Sequence, residues 1–242
     1  MAVKRTNPVD ILLTEPWAFL LYGEPKVGKT TLAGSFPHSI IVACPINEAT
    51  SLASLPNAKD IIILGTKTWE DVNEAVDMVI KKPKETGVFE TIVVDNITPA
   101  YSLCVQATLD KQPRKVISEA TWTAANRDMM DMLNRLLAVK DKNIVLVAHN
   151  RREKADDKGS SARIFPDFGE ALARRIVGAM NALFYYRLKE SGKRELVTSM
   201  IPGIDVGSRY ELPRSLTDPT ANDILIQLDA YRQKVKTLHG IQ

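Results

Sequence analysis

Apolar residues concentrate in five short runs, Ala18–Tyr22, Ile40–Cys44, Ile61–Leu64, Thr91–Asp95 and Ile144–Ala148, rich in β-branched and aliphatic side chains. Runs of this length without polar alternation predict strands buried on both faces. Between them the apolar spacing lengthens to the helical period. Over Trp69–Lys82, the residues Trp69, Val72, Val76, Val79 and Ile80 share one face and Pro83 supplies the stop. Thr123–Lys140 carries Met129, Met130, Leu133, Leu136 and Leu137 as its stripe, and Thr98 with Pro99 reads as the N-cap and first residue of a further helix. Strand alternating with helix predicts an α/β fold: a mostly parallel central sheet, right-handed crossovers, helices on its flanks.

After Glu170 the pattern changes. A helix over Glu170–Met180 leads to the run Leu183–Leu188, a turn at Ser191, Gly192 and Lys193, and a second run Leu196–Met200, which predicts a C-terminal β-hairpin at the sheet edge. Asp218 and Pro219 read as the cap and first turn of a closing helix that carries Ile224, Leu225, Leu228, Tyr231 and Val235. Two stretches have no periodic signal, Asp110–Thr121 and Asn150–Gly169, and the second is long for a structureless connection. The 242 residues are expected to form one domain, with an N-terminal segment 1–16, a core 17–149, a loop 150–169, and an edge hairpin and helix 170–242.

With 45% hydrophobic and 25% charged residues, the chain has the ordinary globular balance, which excludes a disordered or fibrous protein. No run approaches the roughly 20 apolar residues of a membrane span, and Met1–Thr6 lacks the apolar core of a secretory signal, so a cytoplasmic protein without a membrane partner is expected. Cys44 and Cys104 sit in apolar surroundings without metal-ligand spacing and read as buried thiols. The net charge of +3 is too small to argue nucleic-acid binding from the whole molecule, so that case rests on local clusters.

The chemistry begins directly after the first run. Gly23, Glu24, Pro25, Lys26, Val27, Gly28, Lys29 and Thr30 form the pattern glycine, four residues, glycine, lysine, threonine, which with Thr31 after it is placed between a strand and a helix as a phosphate-binding loop (P-loop) requires. The two glycines let the backbone curl so that its N–H groups and the new helix's dipole face the β-phosphate. Lys29 then bridges the β- and γ-phosphates and the Thr30 hydroxyl ligates Mg²⁺, which makes ATP and Mg²⁺ the expected cofactors. Lys26 is either solvated or a further phosphate contact.

Asp95 ends an apolar strand, where a carboxylate reaches the magnesium's water shell; the alternative is a cap for the turn it forms with Asn96. Asn96 either holds a water or shapes that turn. Glu48 stands just beyond the second strand, where ligands gather, as a candidate to orient the attacking water or as a helix-start glutamate. His149 closes the fifth strand and either senses the γ-phosphate or hydrogen-bonds the loop backbone. In that loop Arg151, Arg152, Lys154, Lys158 and Arg163 are candidate contacts to DNA phosphates, diluted by Glu153, Asp156 and Asp157; the alternative is a solvated loop. Phe165 and Phe168 would stack on bases or anchor the loop.

At these residues the chain resembles the phage-encoded RecA-like P-loop nucleotidases, which include the Sak-group single-strand annealing proteins. The resemblance rests on Gly23–Leu32, Asn47 and Glu48, Thr91–Asn96, Trp122, Val147–His149, Pro166–Gly169 and Arg209–Pro213. It implies a RecA-like core, ATP hydrolysis, single-stranded DNA binding in annealing or recombination, and homo-oligomers with nucleotide at the subunit interfaces. A single-strand-binding protein as partner and the host cytoplasm as location would follow. The resemblance puts Glu48 at the catalytic glutamate, His149 at the γ-phosphate sensor, and the two unassigned stretches at the DNA-contacting loops. Where related motors carry lysine, asparagine and arginine at the trans-acting site, this chain has Gly207, Ser208 and Arg209, so that Arg209 alone is left as a finger. The rivals are a nucleotide-switched helicase loader or adaptor and a P-loop kinase of a small molecule.

Overall fold

The computed structural model describes residues 6–81, 88–154 and 162–241. Six strands run parallel in the order β3 (Ile62–Gly65), β2 (Ser39–Ala43), β4 (Thr91–Asp95), β5 (Asn143–Glu153), β1 (Ala18–Gly23) and β7 (Ala182–Leu188). The antiparallel β8 (Arg194–Val197) and β10 (Ser215–Thr217) continue the sheet beyond β7. Two short strands lie off this path: β6 (Arg163–Pro166) pairs with the far end of β5, and β9 (Gly207–Ser208) pairs with β7.

Strand alternation divides the core into two apolar layers. Leu20, Tyr22, Ile40, Val42, Ile92, Val94, Ile144 and Leu146 face one side. There they meet α3 (Trp69–Lys81), α4 (Ile97–Asp110), α5 (Glu119–Leu137) and α6 (Glu170–Ala179). Phe19, Leu21, Ile41, Val93, Val145 and Val147 face the other side, packing on α2 (Lys29–Gly34) and α7 (Ala221–Leu238). The short α1 (Pro8–Thr14) is tied to α7, because Arg232 donates to the Leu12 carbonyl at 3.1 Å and lies 3.6 Å over the Trp17 ring. None of the helices is long and apolar enough to cross a membrane among the described residues.

The central strands β1, β2 and β4 are buried at every position, as their unbroken apolar runs predict; β3 is only alternately half-buried, because it is the sheet's edge. The hairpin after Glu170 forms as expected from β7 and β8, its first strand pairing parallel with β1 and β10 taking the outer edge beyond β8. Several expectations are corrected. The stretch Asn150–Gly169 is not a loop throughout, since β5 runs on to Glu153 and pairs antiparallel with β6, Arg151 opposite Phe165 and Arg152 opposite Ile164. Asp110–Thr121 resolves into the last residue of α4, a connection, and the start of α5, where Ser118 and Thr121 form a capping box.

Both proline-flanked caps are also corrected. α4 is capped by Asn96, whose side chain accepts from the Thr98 N–H, and α7 by Thr220, which forms a capping box with Asp223. Pro99 sits within the first turn of its helix and Pro219 just outside, positions as tolerant of proline as the first residue. Thr98 and Asp218 are engaged elsewhere: Thr98 accepts the His149 N–H at 3.1 Å, and Asp218 the Arg194 N–H at 2.8 Å. Lys82 and Pro83, the predicted end and stop of α3, lie outside the described residues.

Candidate nucleotide site

The carboxyl ends of β1, β4 and β5 open on one side of the sheet. Gly23 ends β1 where the β7 backbone passes so close that an added Cβ would stand 2.0 Å from the Tyr186 carbonyl oxygen, so no larger residue fits. The chain then curls through Glu24–Val27 and reaches Gly28 at φ +97°, the left-handed region that glycine adopts without strain. α2 starts at Lys29 with its free N–H groups turned to this end.

A cleft of about 470 Å³ lies there, lined by Lys26, Gly28–Thr31, Asn47, Glu48, Asp95, Asn96, His149 and Arg194. A larger cavity of about 660 Å³ lies along the amino-terminal half of β7, between Arg163 and Arg209, and contains none of the P-loop. The smaller cleft is the one that brings Lys29, Glu48 and Asp95 together at the P-loop, which makes it the candidate phosphate site.

Lys29 is buried, and its Nζ donates to the carbonyls of Gly23 at 3.0 Å and Glu24 at 2.7 Å. Burial lowers its pKa to about 8, against the pull of Asp95, Glu48 and Glu24. Asp95 is 2% exposed, and burial raises its pKa to about 6 against the nearby Thr30 hydroxyl, with Glu48 adding to the rise and Lys29 opposing it. No hydrogen bond of normal geometry reaches either Asp95 carboxylate oxygen. A buried carboxylate without a protein partner, beside a threonine hydroxyl, is a set of hard oxygen donors that fits a hydrated Mg²⁺. That ion takes few protein ligands and completes its shell with water and phosphate.

Asn96 and His149 join the ends of β4 and β5. Asn96 Oδ1 accepts from the Thr98 N–H at 2.9 Å, which turns Nδ2 toward His149 Nε2 at 3.1 Å. Nε2 is therefore the acceptor, and the neutral ring carries its proton on Nδ1, a buried atom with no partner. Burial first, and then Lys29, lower the His149 pKa and keep the ring neutral. His149 does not close its strand, as predicted, but lies inside β5; its carbonyl, not its ring, takes the Asp167 N–H at 2.8 Å. Asn96 shapes the turn as the α4 cap and also holds the histidine. Glu48 is half-buried in a 3₁₀ segment, Ile46–Ser54, and lines the same cleft. Lys26 is exposed on the rim at φ 65°.

The profile of one protein family, described as an AAA domain, matches residues 15–210. The chain belongs to this family of P-loop ATPases. The matched span runs from before β1 to just after β9 and so contains the whole cleft. No curated protein matches the sequence significantly. Nucleotide binding by this AAA domain follows from its family and from the loop, and the same assignment implies Mg²⁺.

Other predicted residues are dispersed. Arg209 donates to the Gly178 carbonyl at 2.7 Å, and its N–H bonds Asn181 beside the start of β1, roughly 17 Å of strand away from the P-loop. Arg152 pairs with Glu24 of the P-loop itself, and Arg163 pairs with Asp205 while lying over the Phe165 ring. Arg151 and Lys154 are exposed; Lys158 lies outside the described residues. Phe165 and Phe168 are buried, so they anchor the arm and are not open to bases. Arg194 is the charged cleft residue that sequence reasoning missed.

Proposed function

We propose that this ATPase binds single-stranded DNA and promotes annealing in a phage-type recombination system, with bound ATP controlling its grip. The observation that carries this reading is the course of β5. The strand passes through the nucleotide cleft at His149 and continues as one side of a basic hairpin arm, from which Arg152 reaches back to Glu24 of the P-loop. An anion at the P-loop competes with Glu24 for the local positive field, so nucleotide binding changes the strength of that pairing and the freedom of the arm.

In this reading Glu48 orients the attacking water, Lys29 stabilises charge on the transferred phosphoryl group, and His149, neutral and held by Asn96, reports on the phosphates to the arm. Mg²⁺ held by Thr30 and Asp95 would neutralise phosphate charge. Arg209, far from its own chain's P-loop, acts on the nucleotide of a neighbouring subunit in a homo-oligomer. Arg151, Arg152 and Lys154 contact DNA phosphates, while Arg163, satisfied by Asp205, contributes less charge than its place in the sequence implies.

The test is DNA affinity against salt for the Arg151→Ala, Arg152→Ala double variant with a non-hydrolysable ATP analogue bound. Each lost phosphate contact should flatten the logarithmic salt dependence by roughly 0.7. Unchanged affinity and slope would take the arm off the DNA surface; a parent protein indifferent to DNA would favour a loader, adaptor or kinase.

A further inference from the structure

The cleft holds a third cation that no motif accounts for. Arg194 is the first residue of β8, and strand direction brings it to the nucleotide. β7 runs parallel to β1 with Tyr186 level with Gly23, so the following turn and the start of β8 lie at the P-loop end of the sheet. The Arg194 backbone is fixed from both sides, its N–H donating to Asp218 Oδ1 at 2.8 Å and its carbonyl accepting the Asp218 N–H at 2.8 Å.

The side chain folds back on the P-loop. Its Nε donates to the Val27 carbonyl at 3.0 Å, and a Cβ added to Gly28 would stand 3.0 Å from Nε and 3.6 Å from the guanidinium carbon. The guanidinium thus lies against the turn that opens α2, on the wall of the same cleft as Lys29, Thr30 and Glu48. Among the described residues it forms no ion pair and uses only Nε, which leaves both Nη groups for a ligand. A planar fork with two spare donors suits phosphate oxygens better than a point charge does.

We propose that Arg194 is a second phosphate-binding cation of the nucleotide site, supplied by the same chain: Nε holds the loop at Val27 while the Nη groups bind the nucleotide's polyphosphate. Lys29 is buried and held by two carbonyls, so it meets the phosphates from below; Arg194 closes on them from the β8 side. The inference rests on the nucleotide-binding reading of the P-loop.

It is tested by calorimetric binding of Mg·ADP and of a non-hydrolysable Mg·ATP analogue to the parent, Lys29→Ala, Arg194→Ala, Arg194→Gln and Arg194→Lys proteins, with thermal melts as a check on folding. Gln keeps a donor for the Val27 carbonyl but no charge; Lys keeps the charge but not the fork. The expected result is an affinity about tenfold or more lower for both nucleotides in Arg194→Ala and Arg194→Gln, with partial recovery in Arg194→Lys. Arg194→Ala within about twofold of the parent, or Arg194→Gln restoring parental affinity, would overturn the assignment and reduce Arg194 to a brace for the loop. If the parent and Lys29→Ala bind alike, or neither binds, the P-loop reading falls and this inference with it.

Discussion

At the scale of single residues, the site stores unfavourable electrostatics that a ligand relieves. Asp95 titrates at about 6 in the folded protein against 3.8 for an ordinary aspartate, chiefly because it is buried. Between those values the folded state holds more protons than the unfolded one, so stability falls as pH rises through the window, and above about 6 the full cost is present. Asp95→Asn should therefore stabilise the nucleotide-free protein at pH 8 by ~1–3 kcal/mol, with a smaller gain at pH 5, while Mg²⁺-dependent tightening of nucleotide binding is lost. Equal melting temperatures at pH 8 would show that the carboxylate is not strained. Glu48→Gln should leave nucleotide affinity intact and slow hydrolysis by about 10²–10⁴; single-turnover kinetics would separate the two, and parental turnover would make Glu48 structural. Lys29, Thr30 and Asp95 are legible as cleft residues in the sequence because a glycine-flanked motif marks the first two and a strand end the third. Arg194 is not, because its place depends on β7 lying beside β1, a strand order that no local pattern encodes. The Asn96–His149 pair is hidden for the same reason: it joins residues 53 positions apart.

At the scale of elements, the arm formed by β5 and β6 is where local pattern and structure part company. Arg151, Arg152 and Glu153 are exposed, so this end of β5 lacks the apolar face by which a strand is recognised, and only pairing with β6 makes it one. The two helix caps are misread because proline draws attention to the nearest Ser, Thr or Asp, whereas tertiary hydrogen bonds claim Thr98 and Asp218. Anchoring of the arm falls to Phe165, buried under Arg163. Phe165→Ala should destabilise the protein by about 3 kcal/mol and loosen the arm, seen as a lower denaturation midpoint and faster amide exchange over Asn150–Glu153. If the midpoint is unchanged, the arm is not packed on the core. The central strands, by contrast, are legible throughout, since burial on both faces leaves mostly apolar residues to choose from, with Ser39, Thr91 and Asp95 at strand ends.

At the scale of the whole molecule, strand order sets what can reach the nucleotide. β5 separates the P-loop strand from the Asp95 strand and leads out into the arm, so one element touches both the cleft and the proposed DNA surface. Arg209 stands at the other end of the sheet, and under the proposed trans action it would serve a nucleotide only across a subunit interface. Mixing inactive Arg209→Ala with inactive Lys29→Ala subunits should restore part of the turnover, and silence under proven co-assembly would argue against action in trans. The most direct test of the whole account is ATP turnover by the parent protein with and without single-stranded DNA, beside Lys29→Ala. The account predicts turnover that rises with DNA and falls by about 10²-fold or more in Lys29→Ala. Turnover indifferent to DNA, or persisting in a folded Lys29→Ala protein, would contradict it.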